Sequence, residues 1–207
     1  MAYDRIAMLK LLRPAMTRIL TPLGRALVRR GIGPNAVTAI GTLGTVVSAL
    51  LFFPLGLLAA GALVITVFVL FDLLDGLVAR MGGGGGSTWG AFLDSTLDRV
   101  ADAAIFAGLI LYFFAADDLL LTAVTLFCLV AGLLTSYAKA RAEGLGLSAD
   151  VGLAERPERL VVVLVVTFLG GLGVPYVLAA GMWVLAAASA VTVVQRVMHV
   201  HRQARER

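Results

Sequence analysis

Long uninterrupted apolar runs dominate the chain. Six segments, roughly 35–53, 56–79, 90–115, 119–140, 157–175 and 177–195, are apolar almost throughout. Each is close to the about 20 residues that a helix needs to cross a hydrocarbon core. The runs lack the period-two alternation of an outer-membrane barrel, so strands are not expected. Ahead of them Leu9, Leu12, Met16, Leu20, Leu23 and Leu27 share one helical face, while Arg18, Arg25 and Arg29 point the other way. That is the pattern of an amphipathic helix lying in the membrane interface, broken into pieces by Pro14 and Pro22. The expected fold is an all-α integral membrane protein: six transmembrane helices preceded by an N-terminal amphipathic interfacial helix. The interfacial segment covers 1–33, the six-helix domain 34–198 and a basic cytoplasmic tail 199–207.

Charge fixes an orientation for this map. All 17 basic residues fall on one side of it. Seven precede the first span. Arg80 and Arg99 flank the second connection, and Lys139, Arg141, Arg156 and Arg159 flank the fourth. Arg196, Arg202, Arg205 and Arg207 end the chain. The turns near Pro54, Asp117 and Gly173 contain none. Basic residues favour the cytoplasmic side, so both termini and the second and fourth connections are expected there, in a multi-pass protein of the cell membrane. An even number of spans follows.

Composition narrows the class further. The chain is 60% hydrophobic and 14% charged, against about 25% charged for a soluble domain. The pI near 9.7 does not indicate nucleic acid, because the charges are sorted by membrane side. No cleavable signal peptide is visible. The single cysteine, Cys128, lies in an apolar run and excludes disulfide frameworks and cysteine metal sites. The glycine run 82–86 is not followed by Gly-Lys-Ser/Thr, so it is a turn and not a phosphate-binding P-loop.

The chemistry lies around that turn. Asp72 and Asp75 are three apart and Asp94 and Asp98 four apart, so each pair projects from one helix face. Joined by a short glycine-rich turn, the two helices run antiparallel and bring four carboxylates together near the cytoplasmic end. Four such charges repel, and each has a desolvation cost. Divalent cations with oxygen ligands, Mg²⁺ or Mn²⁺, are the natural compensation. Such ions would also neutralise a pyrophosphate during phosphoryl transfer. Gly76 and Ala79 leave room for a ligand beside Asp72.

The segment Asp72-Leu-Leu-Asp75-Gly76-Leu-Val-Ala79-Arg80, a nine-residue spacer, then Gly90-Ala-Phe-Leu-Asp94-Ser-Thr-Leu-Asp98 resembles the signature of the CDP-alcohol phosphotransferases. Every fixed residue matches. The spacer is one residue longer than usual, and the extra residue falls in the glycine run. The resemblance implies that Asp72, Asp75, Asp94 and Asp98 hold metal, two ions in all, and that Asp98 is also the general base. It implies that Gly76, Ala79 and Arg80 contact the CDP-lipid. Asn35, Ala36, Val37 and Thr38, at the start of the first span, resemble the family's nucleotide-contacting stretch, and Ser87 reaches the nucleotide from the turn. A homodimer is implied as well.

The acceptor is read from basic residues at the same membrane level. Cations beside an acidic metal site suit an acceptor that carries its own phosphate. Ser136-Tyr-Ala-Lys-Ala-Arg-Ala-Glu143 and Glu155-Arg-Pro-Glu-Arg159 resemble the actinobacterial phosphatidylinositol-phosphate synthase branch of the family. That resemblance implies CDP-diacylglycerol as donor and inositol 1-phosphate as acceptor. Lys139, Arg159 and Arg196 would hold the acceptor phosphate, with Arg156 beside them. The alternatives are a phosphatidylglycerol-phosphate synthase using glycerol 3-phosphate and, outside enzymes, a cation transporter. The transporter reading places acids near the bilayer midplane and gives no reason for Gly76, Ala79 and Arg80.

Overall fold

The computed structural model describes residues 21–22, 24–70, 78 and 87–206. Among these residues all regular structure is helical and no strand occurs. Residues 24–29 are helical. The longer helices are α1 (Pro34–Phe52), α2 (Leu58–Val69), α3 (Thr88–Ala115), α4 (Leu119–Gly144), α5 (Arg156–Gly171) and α6 (Val177–Arg205). Residues 1–20, with most of the expected interfacial helix, lie outside the described residues, as do 71–77 and 79–86.

Helices α1, α4 and α6 are long and apolar enough to cross a membrane. The side chains bear out a membrane protein, because polarity is inverted. Leu43, Val67, Leu119, Leu120, Val161, Val184 and Val197 are all more than half exposed. Thr42, Thr45, Ser48, Thr125, Thr135, Thr167, Ser189 and Thr192 are buried. Lipid in place of water explains this: apolar side chains face it, and small hydroxyl residues let helices approach. Several hydroxyls bond back to the preceding turn, as Thr125 Oγ1 does to Leu121 O at 2.7 Å and Thr135 Oγ1 to Ala131 O at 2.7 Å.

Two boundaries differ from the hydropathy reading. The fifth apolar segment stops being helical at Gly171 and not at residue 175. The chain reverses there through Gly173, at φ 87°, a left-handed conformation that glycine accepts without strain. The sixth continues to Arg205, joining the last span and the basic tail into one 29-residue helix. Lipid ends at the charges; nothing in Gln195-Arg-Val-Met-His-Val-His-Arg-Gln-Ala-Arg205 breaks a helix.

The chain divides into two compact units, one of residues 1–45 and 67–98, the other of residues 46–66 and 99–207. In the first, Val37 and Val78 are buried together, with Leu27, Val28 and Ile32 packed against them. In the second, α6 packs on α4 and α5. Cys128 on α4 is fully buried, and its thiol donates to Met182 O on α6 at 3.7 Å. Close crossings use glycine: a Cβ at Gly108 on α3 would collide with the Ala49 carbonyl oxygen of α1, and one at Gly171 with the Ala59 amide of α2.

Candidate active site

In the first unit, two of the residues expected at the nucleotide, Ser87 and Asn35, meet at the start of α3. Ser87 caps that helix: its Oγ accepts from Gly90 N at 2.9 Å. A Cβ built on Gly90 would stand 3.1 Å from Ser87 Oγ and 3.2 Å from Asn35 Oδ1. Gly90 thus lets the polar side chains of Ser87, just ahead of α3, and Asn35, on α1, converge on one helix N-terminus, where unpaired amides favour an anion. Ala36 is exposed beside Asn35. Thr38 is buried, its hydroxyl donating to Pro34 O at 3.1 Å. Val37 is only 1% exposed within the apolar cluster, so its side chain serves packing.

Asp94 and Asp98 lie one turn apart on α3, Asp94 exposed and Asp98 half-buried. The hydroxyls of Ser95 and Thr96 both donate to Phe92 O, at 2.9 and 2.8 Å. Two carboxylates at this spacing offer the hard oxygen donors that Mg²⁺ or Mn²⁺ takes. Asp72, Asp75, Gly76, Ala79 and Arg80 lie outside the described residues. Among the described residues no three of His, Cys, Asp or Glu gather into a metal site.

In the second unit, the four cations expected at the acceptor phosphate are each tied to a carboxylate. Lys139 Nζ lies 2.5 Å from Asp150 Oδ1 and 3.9 Å from Glu143 Oε1. Lys139 holds the exposed Asp150 carboxyl below its ordinary pKa, through the hydrogen bond and then through charge. Arg156 Nε donates to Asp102 Oδ1 at 3.3 Å. Arg159 Nη2 lies 3.6 Å from Asp102 Oδ2, and its Nη1 donates to Ala154 O at 3.2 Å. Arg196 donates from Nη1 to Thr135 O at 2.7 Å, from Nε to Val151 O at 2.9 Å and from Nη2 to Glu155 Oε1 at 3.1 Å. Arg196 therefore clamps the 145–155 connection to α4 as well as offering charge.

Arg159 is 3% exposed, and its Nε is buried with no hydrogen-bond acceptor. Room for the guanidinium comes from Gly132 on α4, where a Cβ would lie 3.4 Å from both Nε and Nη2. A buried donor without an acceptor is costly, and its persistence beside other cations suits a site that receives an anion. The partners Asp102, Asp150, Glu155 and Gly132 were not among the residues expected from sequence. Asp102 alone carried a signal, because it continues the four-residue spacing of Asp94 and Asp98.

The family model for CDP-alcohol phosphatidyltransferases matches residues 32–195. A phosphatidylinositol phosphate synthase of Streptomyces avermitilis is 48% identical over 205 residues, covering 95% of this chain and 84% of its own. One of Mycobacteroides abscessus is 50% identical over 192 residues, covering 92% of this chain and 86% of its own. Among solved structures, the Mycobacterium tuberculosis phosphatidylinositol phosphate synthase with CDP-DAG bound superposes with a TM-score of 0.84 at 48% identity, over 88% of this chain and 94% of that one. The same enzyme in complex with manganese and citrate gives a TM-score of 0.83 at 48% identity, over 87% of this chain and 88% of that one.

Proposed function

The chain belongs to the CDP-alcohol phosphatidyltransferase family, and within it we propose that this protein transfers the phosphatidyl group of CDP-diacylglycerol to inositol 1-phosphate, giving phosphatidylinositol phosphate and CMP. The observation that carries the acceptor assignment is identity of 48–50% over more than nine-tenths of the chain to phosphatidylinositol phosphate synthases. The basic residues support it: Arg159 carries a buried guanidinium nitrogen with no acceptor, and the charges of Arg196 and Arg156 act on the same guanidinium. A phosphorylated acceptor matches that charge.

Asp98 takes the proton of the attacking inositol hydroxyl. That oxygen attacks the phosphorus attached to diacylglycerol, the bond from this phosphorus to the CMP oxygen breaks, and CMP departs. Arg159, Arg196 and Lys139 hold the acceptor phosphate so that the hydroxyl faces the reacting phosphorus. Asn35, Ala36, Val37, Thr38 and Ser87, with Gly76, Ala79 and Arg80, position the CDP moiety. Asp72, Asp75, Asp94 and Asp98 would hold two divalent ions, which when bound supply charge neutralisation to the pyrophosphate. Six spans, both termini and the active site on the cytoplasmic side, and a homodimer complete the reading.

The test is an acceptor panel in detergent with CDP-diacylglycerol and Mg²⁺. CMP release is expected with inositol 1-phosphate and not with glycerol 3-phosphate or free inositol. Arg159→Gln should raise the acceptor KM by about one to two orders of magnitude, from about 1.5–3 kcal/mol for a charge-assisted contact, and leave the CDP-diacylglycerol KM nearly unchanged. Release with glycerol 3-phosphate alone would replace the acceptor assignment by its glycerol counterpart.

A further inference from the structure

Arg156 and Arg159 stand three residues apart on the first turn of α5, so two guanidinium groups repel on one helix. Four carboxylates serve the basic cluster, and they differ in burial. The Asp150 side chain is 67% exposed, that of Glu143 57% and that of Glu155 44%, whereas that of Asp102 is 13% exposed. Asp102 is shared between the two arginines: one oxygen faces Arg156 and the other Arg159. It reaches them from α3, one turn beyond Asp98. The 94–98–102 spacing alone would suggest another metal ligand, but the arginines engage both of its oxygens.

Asp102 and Ala154 O take the two Nη groups of Arg159, leaving the buried Nε without an acceptor. The guanidinium is thus held by the protein through its Nη groups, while its Nε has no acceptor. From this geometry we infer that Asp102 is a positioning residue for the acceptor: it aims Arg159 at the acceptor phosphate and balances the repulsion between Arg159 and Arg156. The inference rests on the proposed acceptor role of Arg159. Asp102 touches neither substrate, so its effect is read on acceptor binding.

The experiment compares Asp102→Asn, Asp102→Glu and Arg159→Gln with the wild type in full-length protein, by KM for each substrate, kcat and thermal unfolding in detergent. Asp102→Asn should raise the inositol 1-phosphate KM about tenfold or more, while the CDP-diacylglycerol KM stays within about twofold. Asp102→Glu, which keeps the charge, should recover most of the loss and leave an acceptor KM about threefold above wild type. An unchanged acceptor KM in Asp102→Asn, beside a raised one in Arg159→Gln, overturns the inference and leaves the acceptor assignment standing. An unchanged KM in Arg159→Gln overturns the acceptor role of Arg159 and the inference with it. Equal changes in both KM values, or a fall in kcat alone, would show Asp102 acting on the fold or the chemistry and overturn it too. Should Asp102→Asn not fold, Asp102→Glu decides: an acceptor KM equal to wild type overturns the inference, and the threefold rise supports it.

Discussion

Replacing Asp94, an exposed side chain on α3, by Asn removes one charge and almost no volume. Asp94→Asn should therefore unfold at the wild-type temperature, within about 0.5 kcal/mol for a surface substitution, yet lose turnover if the carboxylate is a metal ligand. EDTA should silence the wild type, and added Mg²⁺ or Mn²⁺ should restore it. Full turnover in EDTA would remove the metal from the mechanism. The same scale shows what residue types could disclose. Four carboxylates in helical spacing announce a charge that needs an ion. Lone cations at Lys139, Arg156, Arg159 and Arg196 do not say which anion each meets. Those partners are fixed by tertiary approach, with Asp102 arriving from α3 and Glu155 from the connection before α5.

The element that places Arg159 is the 145–155 connection, and one hydroxyl organises it. Thr192 Oγ1 on α6 accepts from Leu153 N at 3.1 Å and Ala154 N at 2.9 Å, and donates to Ala188 O. Ala154 O in turn receives Arg159 Nη1. Thr192→Val keeps the shape and takes the hydroxyl acceptor from the buried Ala154 amide, a loss of about 1–3 kcal/mol. A lower melting temperature in detergent is expected, together with a several-fold higher acceptor KM and an unchanged donor KM. Thr192→Ser, which keeps the hydroxyl, should behave as wild type; if it matches Thr192→Val, the hydrogen bonds are not what holds the loop. Hydropathy located α1, α4 and α6 because a lipid-facing helix must be apolar along its length. It misjudged the end of α5, where Gly173 turns the chain inside an apolar run, and the end of α6, whose last turns leave the lipid and stay helical. Thr192 was invisible to it, since a buried threonine in an apolar helix reads as filler.

Across the whole molecule, the one-sided distribution of Lys and Arg predicts an even number of spans with both termini in the cytoplasm. The protein suits single-cysteine labelling, because its one native cysteine, Cys128, is 0% exposed within α4. A membrane-impermeant maleimide should leave it unlabelled, so no background substitution is needed. Gly144 ends α4 with open space where a Cβ would project, and Glu206 lies just past α6. Ala116 and Val174 lie in the α3–α4 and α5–α6 turns, which carry no basic residue. Gly144→Cys and Glu206→Cys should label in inside-out vesicles only. Ala116→Cys and Val174→Cys should label in right-side-out vesicles only. Helices α4 and α6 are each long enough to cross, so this pattern follows if α5 also crosses, although its 16 residues rise only about 24 Å at 1.5 Å per residue against a core of about 30 Å. Labelling of Val174→Cys and Gly144→Cys from the same side would mean that α5 does not cross, and the even count and the cytoplasmic placement of both termini could not then hold together.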